Sequence, residues 1–152
     1  MISHEKERCD LNDKIRVLFI CTANAARSQM AEGLLRSKYG DRFDVFSAGT
    51  RQSRVSDRAI RVMNEIGIDI SHHYSKTLDA ISGMKFDLAI TLCDNAHQLC
   101  PVVSGAKKTL HKGFPDPHLT PGSEEDVLNG YRAVRDMIEG WIDITFGRKT
   151  EQ

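Results

Sequence analysis

The sequence predicts an α/β fold: a single domain with a four-stranded parallel sheet flanked by helices on both faces. Three observations lead to this prediction. Short apolar runs alternate with amphipathic segments, the links between them are short, and the chain has 152 residues. That length suits one domain with a substantial core. Strands alternating with helices over short links are typical of parallel sheets covered on both sides.

Four runs are predicted to be strands. Residues 15–20 (IRVLFI) are almost continuously apolar, which is typical of a buried parallel strand. The expected sheet is completed by residues 44–47, 86–92 and 107–111. Because ligands gather at the carboxyl ends of parallel strands, Cys21 and Cys93, which directly follow the first and third runs, should lie at one functional edge.

Three segments have helical periodicity. The first turns helical at Ser28 and ends at Gly40, and the second follows Ser56, a good N-cap residue. The third begins after Ser123, and its apolar residues step by four and three as far as Trp141. Residues 113–122 hold three of the four prolines and are predicted to be a loop. The domain is expected to span residues 14–147, between an N-terminal tail (1–13) and a C-terminal tail (148–152).

The composition is ordinary for a globular protein, with 40% hydrophobic and 28% charged residues. A formal net charge of zero argues against a nucleic-acid or anionic-membrane surface, so any attraction for anions must be local. No apolar run approaches the ~20 residues that cross a bilayer. Residues 1–13 lack the apolar centre of a signal peptide, and the default expectation is a cytoplasmic location.

The segment after the first strand has the pattern of an anion-binding loop. Between Cys21 and Arg27 lie only small or polar residues, namely Thr22, Ala23, Asn24, Ala25 and Ala26. A loop between a strand and a helix N-terminus can turn several backbone N–H groups toward an anion. Arg27 offers a planar fork for two oxygens of a tetrahedral oxyanion. The same surroundings favour a cysteine thiolate, to which Ser28 can donate a hydrogen bond. Cys21 is therefore a candidate nucleophile.

The run VLFICTANAARSQMAEGLL, with FSAGT and TLC further on, resembles the thioredoxin-coupled arsenate reductases. These proteins share the fold and the loop of the low-molecular-weight protein tyrosine phosphatases. The resemblance covers residues 15–141 and implies a low-molecular-weight phosphatase-like fold. It also implies that Cys21 attacks the anion, that Arg27 binds it, and that Asp116, which precedes a proline in a late loop, acts as general acid.

Some relatives bind a potassium ion behind the loop. At the matching positions its ligands would be Asn24, Glu32, Ser47 and Asp69, and the resemblance implies no cofactor that is required. One departure concerns the loop itself. Ala23 stands where the family commonly has glycine, so the loop must manage without a free positive φ at that position.

The other thiols distinguish between two reactions, because arsenic(V) accepts two electrons from thiols under biological conditions whereas phosphorus(V) does not. In the favoured hypothesis Cys21 attacks arsenate, Cys93 then attacks Cys21 and releases arsenite, and Cys100 moves the disulfide to the Cys93–Cys100 pair. Thioredoxin, implied by the resemblance, would reduce that pair. If residues 94–99 are helical, Cys93 and Cys100 are ~10.5 Å apart. A disulfide needs ~4.4–6.8 Å between its Cα atoms, so this helix must unwind.

Three alternatives compete with this hypothesis. The chain could be a low-molecular-weight protein tyrosine phosphatase that uses Cys21, Arg27 and Asp116 without a relay. It could also be a non-enzymatic module that binds oxyanions or senses redox state. Finally, Cys93, His97, Cys100 and His111 could hold zinc, although their spacing matches no common zinc motif.

Overall fold

The computed structural model describes residues 14–93, 103 and 105–147, and its sheet is the one that the sequence predicts. Four strands pair in parallel in the order β2-β1-β3-β4. Their bounds are Ile15–Cys21 (β1), Phe43–Gly49 (β2), Phe86–Cys93 (β3) and Ala106–Phe114 (β4). Every predicted run lies within an observed strand. The predicted loop is wrong at its start, because Phe114 still pairs with Cys93 across a register irregularity.

Three α-helices follow the predicted segments: Arg27–Tyr39 (α1), Asp57–Glu65 (α2) and Glu124–Phe146 (α3). The Ser56 hydroxyl caps α2 by accepting a hydrogen bond from the Ala59 N–H at 3.2 Å. Ser123 and Asp126 form a capping box at the start of α3, in which each side chain binds the other residue's backbone N–H. Two short 3₁₀ helices, Leu78–Ile81 and Pro117–Leu119, lie in the connections.

Alternate residues of the central strand face two hydrophobic layers. Val17 and Phe19 pack into the larger core with the apolar sides of the three α-helices. Leu18 and Ile20 face the smaller core, which contains Ile81 from the first 3₁₀ helix. Helices therefore cover both faces, with all three described α-helices on one face and a 3₁₀ helix on the other. None of the described helices has the length and apolar character needed to cross a membrane.

The topology brings two thiols together. Cys21 ends β1 and Cys93 ends β3, and these two strands are neighbours in the sheet. Both cysteines are buried and pack against each other as a small cluster of their own. The prediction that both lie at one carboxyl edge is confirmed.

Candidate active site

The loop of residues 22–26 lies between β1 and α1. Residues around it hold it in place by donating hydrogen bonds to its backbone carbonyl groups. The Thr22 carbonyl accepts hydrogen bonds from the N–H groups of Thr50 and Arg51 at 2.9 and 3.0 Å. The next three carbonyls also have partners on surrounding segments, which are the Ser75 hydroxyl for Ala23, the Gln29 amide for Asn24 and the Ser56 N–H for Ala25. Four consecutive peptide oxygens are thus bound away from the loop's centre.

This arrangement directs N–H groups inward. In a trans peptide the C=O and the following N–H point in opposite directions. With the carbonyls of residues 22–25 held outside, the N–H groups of residues 23–26 face the concave side of the loop. Such a concave row of N–H groups at a helix N-terminus is an anion site. The N–H groups of Ala23, Asn24, Ala25 and Ala26 are thus available to an anion, and oxyanion binding by these residues and Thr22 stays a prediction.

Asn24 supplies the left-handed turn of the loop. Its φ is +51°, and among the described non-glycine residues it is the one with a positive φ. Asparagine tolerates this region better than most residues. Its side chain also anchors the turn, donating to Ser28 and Ser47 and accepting from the Lys76 N–H. The expectation that the loop manages without a positive φ at Ala23 is confirmed, because the turn falls one residue later.

Gly49 lies directly beneath the loop, and the sequence reasoning missed its role. A Cβ atom at this position would lie 2.8 Å from the Asn24 nitrogen, 2.8 Å from the Thr22 oxygen and 2.9 Å from the Ala23 carbonyl carbon. All three are backbone atoms that cannot rotate away. The FSAGT motif carried the signal, because its glycine ends β2 beside the end of β1.

Cys21 is almost fully buried, with 3% of its surface exposed. Its sulfur lies 2.9 Å from the Ser28 hydroxyl oxygen. The Asn24 amide donates to that same oxygen at 2.8 Å, which leaves the serine's own hydrogen available to the sulfur. This geometry is the one expected if Ser28 stabilises a Cys21 thiolate.

Arg27 and Asp116 meet at the opening of the loop. The Arg27 guanidinium donates to the Phe114 carbonyl at 3.1 Å, and its Nη2 lies 3.5 Å from an Asp116 carboxylate oxygen. Asp116 also accepts from the His118 N–H, so it caps the second 3₁₀ helix as well as facing the guanidinium. Asp116 thus shapes the turn that begins the second 3₁₀ helix, in a position that also faces the anion site.

Cys93 adds a second sulfur to the site. Its Sγ lies 3.1 Å from the Thr22 hydroxyl oxygen. Burial raises the pKa of the Cys93 thiol above its ordinary value of 9.0, and the hydrogen bond with Thr22 and the charge of Arg27 act in the opposite direction. Cys100 and the helix expected over residues 94–99 lie outside the described residues.

A cavity of about 460 Å³ opens above the loop. It contains Cys21, Arg27 and Asp116, together with three arginines (Arg51, Arg54 and Arg58) that the sequence reasoning did not single out. Tyr131 of α3 is 1% exposed and also reaches this cavity. The remaining lining residues are Thr22, Ala23, Ala25, Ala26, Ser53, Ser56, His118 and Leu119.

The residues expected to bind potassium do not fit a cation. Glu32 accepts from the Ser47 hydroxyl and forms an ion pair with Arg36 at 2.6 Å. The Asn24 side-chain oxygen faces the Lys76 N–H, which can only donate. The carboxylate of Asp69 is exposed and accepts from the Ser71 N–H at 2.8 Å. The Arg36 guanidinium therefore already balances the charge of the Glu32 carboxylate.

Only Cys93 and His111 of the four candidate zinc ligands lie within the described residues. Among residues 14–93, 103 and 105–147, no three histidine, cysteine or acidic side chains are grouped as metal ligands. His111 instead has its Nδ1 within 2.8 Å of the Thr91 hydroxyl. His97 and Cys100 lie outside the described residues.

Comparisons with known proteins agree with this geometry. The model of the low molecular weight phosphotyrosine protein phosphatase family matches residues 16–143. An arsenate reductase of Halalkalibacterium halodurans is 43% identical over 128 residues, covering 84% of this chain and 91% of that protein. A solved arsenate reductase in an oxidized state has a TM-score of 0.74 at 29% identity, covering 88% and 97% of the two chains.

A low molecular weight protein tyrosine phosphatase from T. tengcongensis is a more distant structural neighbour, with a TM-score of 0.66 at 27% identity over 90% of this chain and all of its own. The shared fold and loop thus extend to both kinds of enzyme, whereas the higher identities are to proteins named arsenate reductase. The chain belongs to the low molecular weight phosphotyrosine protein phosphatase family and, within it, groups with the arsenate reductases.

Proposed function

We propose that this protein reduces arsenate to arsenite through a relay of three cysteine thiols. The observation that carries the proposal is the second thiol: Cys93 packs against Cys21 where β1 and β3 end. An ester hydrolase of this kind needs one thiolate and water. A reductase needs a further thiol to supply electrons, and here one lies beside the nucleophile.

In the first step the Cys21 thiolate attacks arsenic(V). The N–H groups of residues 23–26 and the Arg27 guanidinium bind the other oxygens, and Ser28 stabilises the thiolate before attack. An oxyanion bound at Arg27 displaces the Asp116 carboxylate that faces it at 3.5 Å in the structure. Dihydrogen arsenate brings two hydroxyl groups, and the Asp116 carboxylate takes the proton of one and passes it to the other. That second hydroxyl leaves as water, and Cys21 is joined to arsenic.

In the second step Cys93 attacks the sulfur of Cys21. A Cys21–Cys93 disulfide forms, the sulfur–arsenic bond breaks, and its electron pair stays on arsenic, which leaves as arsenite. Cys100 next attacks Cys93, which frees the Cys21 thiolate and leaves a Cys93–Cys100 disulfide. An external dithiol of the thioredoxin type reduces this disulfide and closes the cycle. Thiols that form transient, catalytic disulfides are typical of the reducing cytoplasm, which is the location we propose.

The test supplies arsenate with thioredoxin, thioredoxin reductase and NADPH, and measures arsenite directly together with NADPH loss. We expect multiple turnovers by the wild type, none by Cys21→Ser, and at most one by Cys93→Ser or Cys100→Ser. Cys9→Ser is the matched control, because Cys9 has no role in the relay and its variant should turn over normally. If no arsenite forms while an aryl phosphate is hydrolysed, the reductase proposal is wrong.

A second candidate is phosphomonoester hydrolysis with Cys21, Arg27 and Asp116. The cavity of about 460 Å³ favours it, because this is much more space than a bare tetrahedral oxyanion needs. A substitution of Cys93 distinguishes the two candidate functions. Cys93→Ser removes reductase turnover in the first proposal but leaves hydrolysis of an aryl phosphate largely intact in the second.

A further inference from the structure

A continuous set of hydrogen bonds runs from Cys21 to a buried carboxylate behind the loop. Ser28 contacts the Cys21 sulfur at 2.9 Å, and Asn24 donates to both Ser28 and Ser47, at 2.8 and 3.0 Å. The Ser47 hydroxyl then donates to Glu32. Ser28, Asn24 and Ser47 are fully buried, and Glu32 is 7% exposed. The Cys21 side chain is thus linked to the Glu32 carboxylate through three intervening side chains, so a change in the charge balance of Glu32 can alter the position of the nucleophile.

A buried carboxylate is costly unless a positive charge compensates it. In this chain Arg36, one helical turn after Glu32 in α1, supplies that charge at 2.6 Å. The same guanidinium nitrogen donates to the Val45 carbonyl of β2 at 2.6 Å, so it is anchored on both the helix and the sheet. Nearly half of the arginine side chain is exposed, which means that it reaches this position from the surface.

We propose that Arg36 is a built-in cation that takes the place of a bound monovalent metal behind the loop. It is a positioning residue for Cys21, acting through Glu32, Ser47, Asn24 and Ser28. The orientation of Asn24 supports this assignment, because its amide nitrogen faces the serines while its oxygen is occupied by the Lys76 N–H. The wild-type protein is therefore independent of potassium. The proposal concerns the loop of the proposed reaction, but its test needs no arsenate.

The protein with its native Arg36 gives the first test. In a Cys9→Ser, Cys93→Ser, Cys100→Ser background, Cys21 is the sole cysteine, and its alkylation by iodoacetamide reports thiolate reactivity. We expect the alkylation rate and the melting temperature to be the same in potassium chloride and in choline chloride at equal ionic strength. A saturable increase of either quantity with potassium would overturn the proposal.

Arg36→Met gives the second test in the same background. We expect alkylation of Cys21 to slow about threefold or more, as for other couplings through bonded networks. The melting temperature should fall by about 6 °C or more. Potassium, but not choline, should restore part of both losses, because the unpaired Glu32 then needs a cation. Arg36→Lys, which keeps the charge, should retain most of the alkylation rate in choline chloride.

Arg132→Met is the matched control, because Arg132 forms an Arg–Glu pair with Glu65 at 2.8 Å that does not belong to this network. It should affect the melting temperature without slowing alkylation or creating a potassium response. Normal alkylation by folded Arg36→Met, or a loss that potassium does not relieve, would overturn the proposal. Since neither readout involves arsenate, failure here is distinguishable from failure of the proposed reductase reaction.

Discussion

The Cys21 sulfur and the Ser28 hydroxyl oxygen lie 2.9 Å apart in a buried site, and the Asn24 amide donates to the same oxygen. An amide nitrogen can only donate, so the hydroxyl uses a lone pair toward Asn24, and its hydrogen remains available to a thiolate sulfur. A hydrogen bond to a charged group contributes ~1.5–3 kcal/mol. We therefore propose that Ser28 stabilises the thiolate form of Cys21, the form that attacks in the proposed reaction.

Ser28→Ala should lower the rate of Cys21 alkylation, and of arsenate reduction, by about 10-fold or more. The variant also leaves the Asn24 amide without one acceptor, which costs ~1–3 kcal/mol of stability. Ser123→Ala serves as the stability control, because loss of a helix cap costs ~1 kcal/mol without touching the loop. If Ser28→Ala reacts as fast as Ser123→Ala, the hydrogen bond does not activate Cys21.

Gly49→Ala should displace the anion-binding loop, because its added methyl group would lie 2.8 Å from backbone atoms of both Asn24 and Thr22. We expect a rise in KM for arsenate and weaker binding of phosphate as a competing anion. Gly140→Ala is the matched control, since nothing lies within 4 Å of its added methyl group and it sits inside α3. That variant should gain up to ~1 kcal/mol of stability and keep its activity. Equal phosphate affinity in the two variants would contradict the role of Gly49.

The part of this site that could be predicted from sequence is the part set by local pattern. The spacing of Cys21 and Arg27 after an apolar strand indicated the loop, and Ser56 and Ser123 indicated helix starts that the structure confirms. The close approach of Gly49 to the loop depends on the pairing of β1 with β2, which local pattern does not specify. The i,i+4 spacing of Glu32 and Arg36 was visible, but the bond from Arg36 to Val45 arises only when α1 packs on β2.

The attack of Cys93 on the sulfur of Cys21 should become faster as the pH rises. Only a thiolate attacks another sulfur, and burial raises the pKa of the Cys93 thiol above 9.0. The rate of disulfide formation should therefore rise through pH 8 and continue to rise beyond 9.0, as rapid-quench experiments on Cys100→Ser can measure. A rate that levels off below pH 8 would contradict this prediction.

Thr22, together with the charge of Arg27, opposes the rise in the pKa of Cys93. Its hydroxyl, 3.1 Å from the Cys93 sulfur, lowers the pKa of Cys93. Thr22→Val should displace the pH profile of disulfide formation to higher pH, whereas Thr22→Ser, which retains the hydroxyl, should leave it nearly unchanged. Identical profiles for the two variants would mean that this hydrogen bond does not influence the thiol.

Acid should weaken the contact between α2 and α3. Hydrogen bonds from Arg132 and then from Arg135 lower the pKa of Glu65 from its ordinary 4.5 to about 2. Between these two values the unfolded chain binds more protons at this residue than the folded chain, so the free energy of unfolding falls as the pH falls from 4.5 to 2. Urea unfolding of the wild type and Glu65→Gln should show a stability difference that shrinks across this window. A constant difference would contradict the prediction.

The most direct test of the relay is a single turnover by Cys100→Ser with arsenate and no external reductant, followed by mass spectrometry of the alkylated, digested protein. We expect one arsenite released per protein and one disulfide that joins the peptide of Cys21 to the peptide of Cys93. Release of arsenite without that disulfide, or no arsenite from a protein that hydrolyses an aryl phosphate, would contradict it.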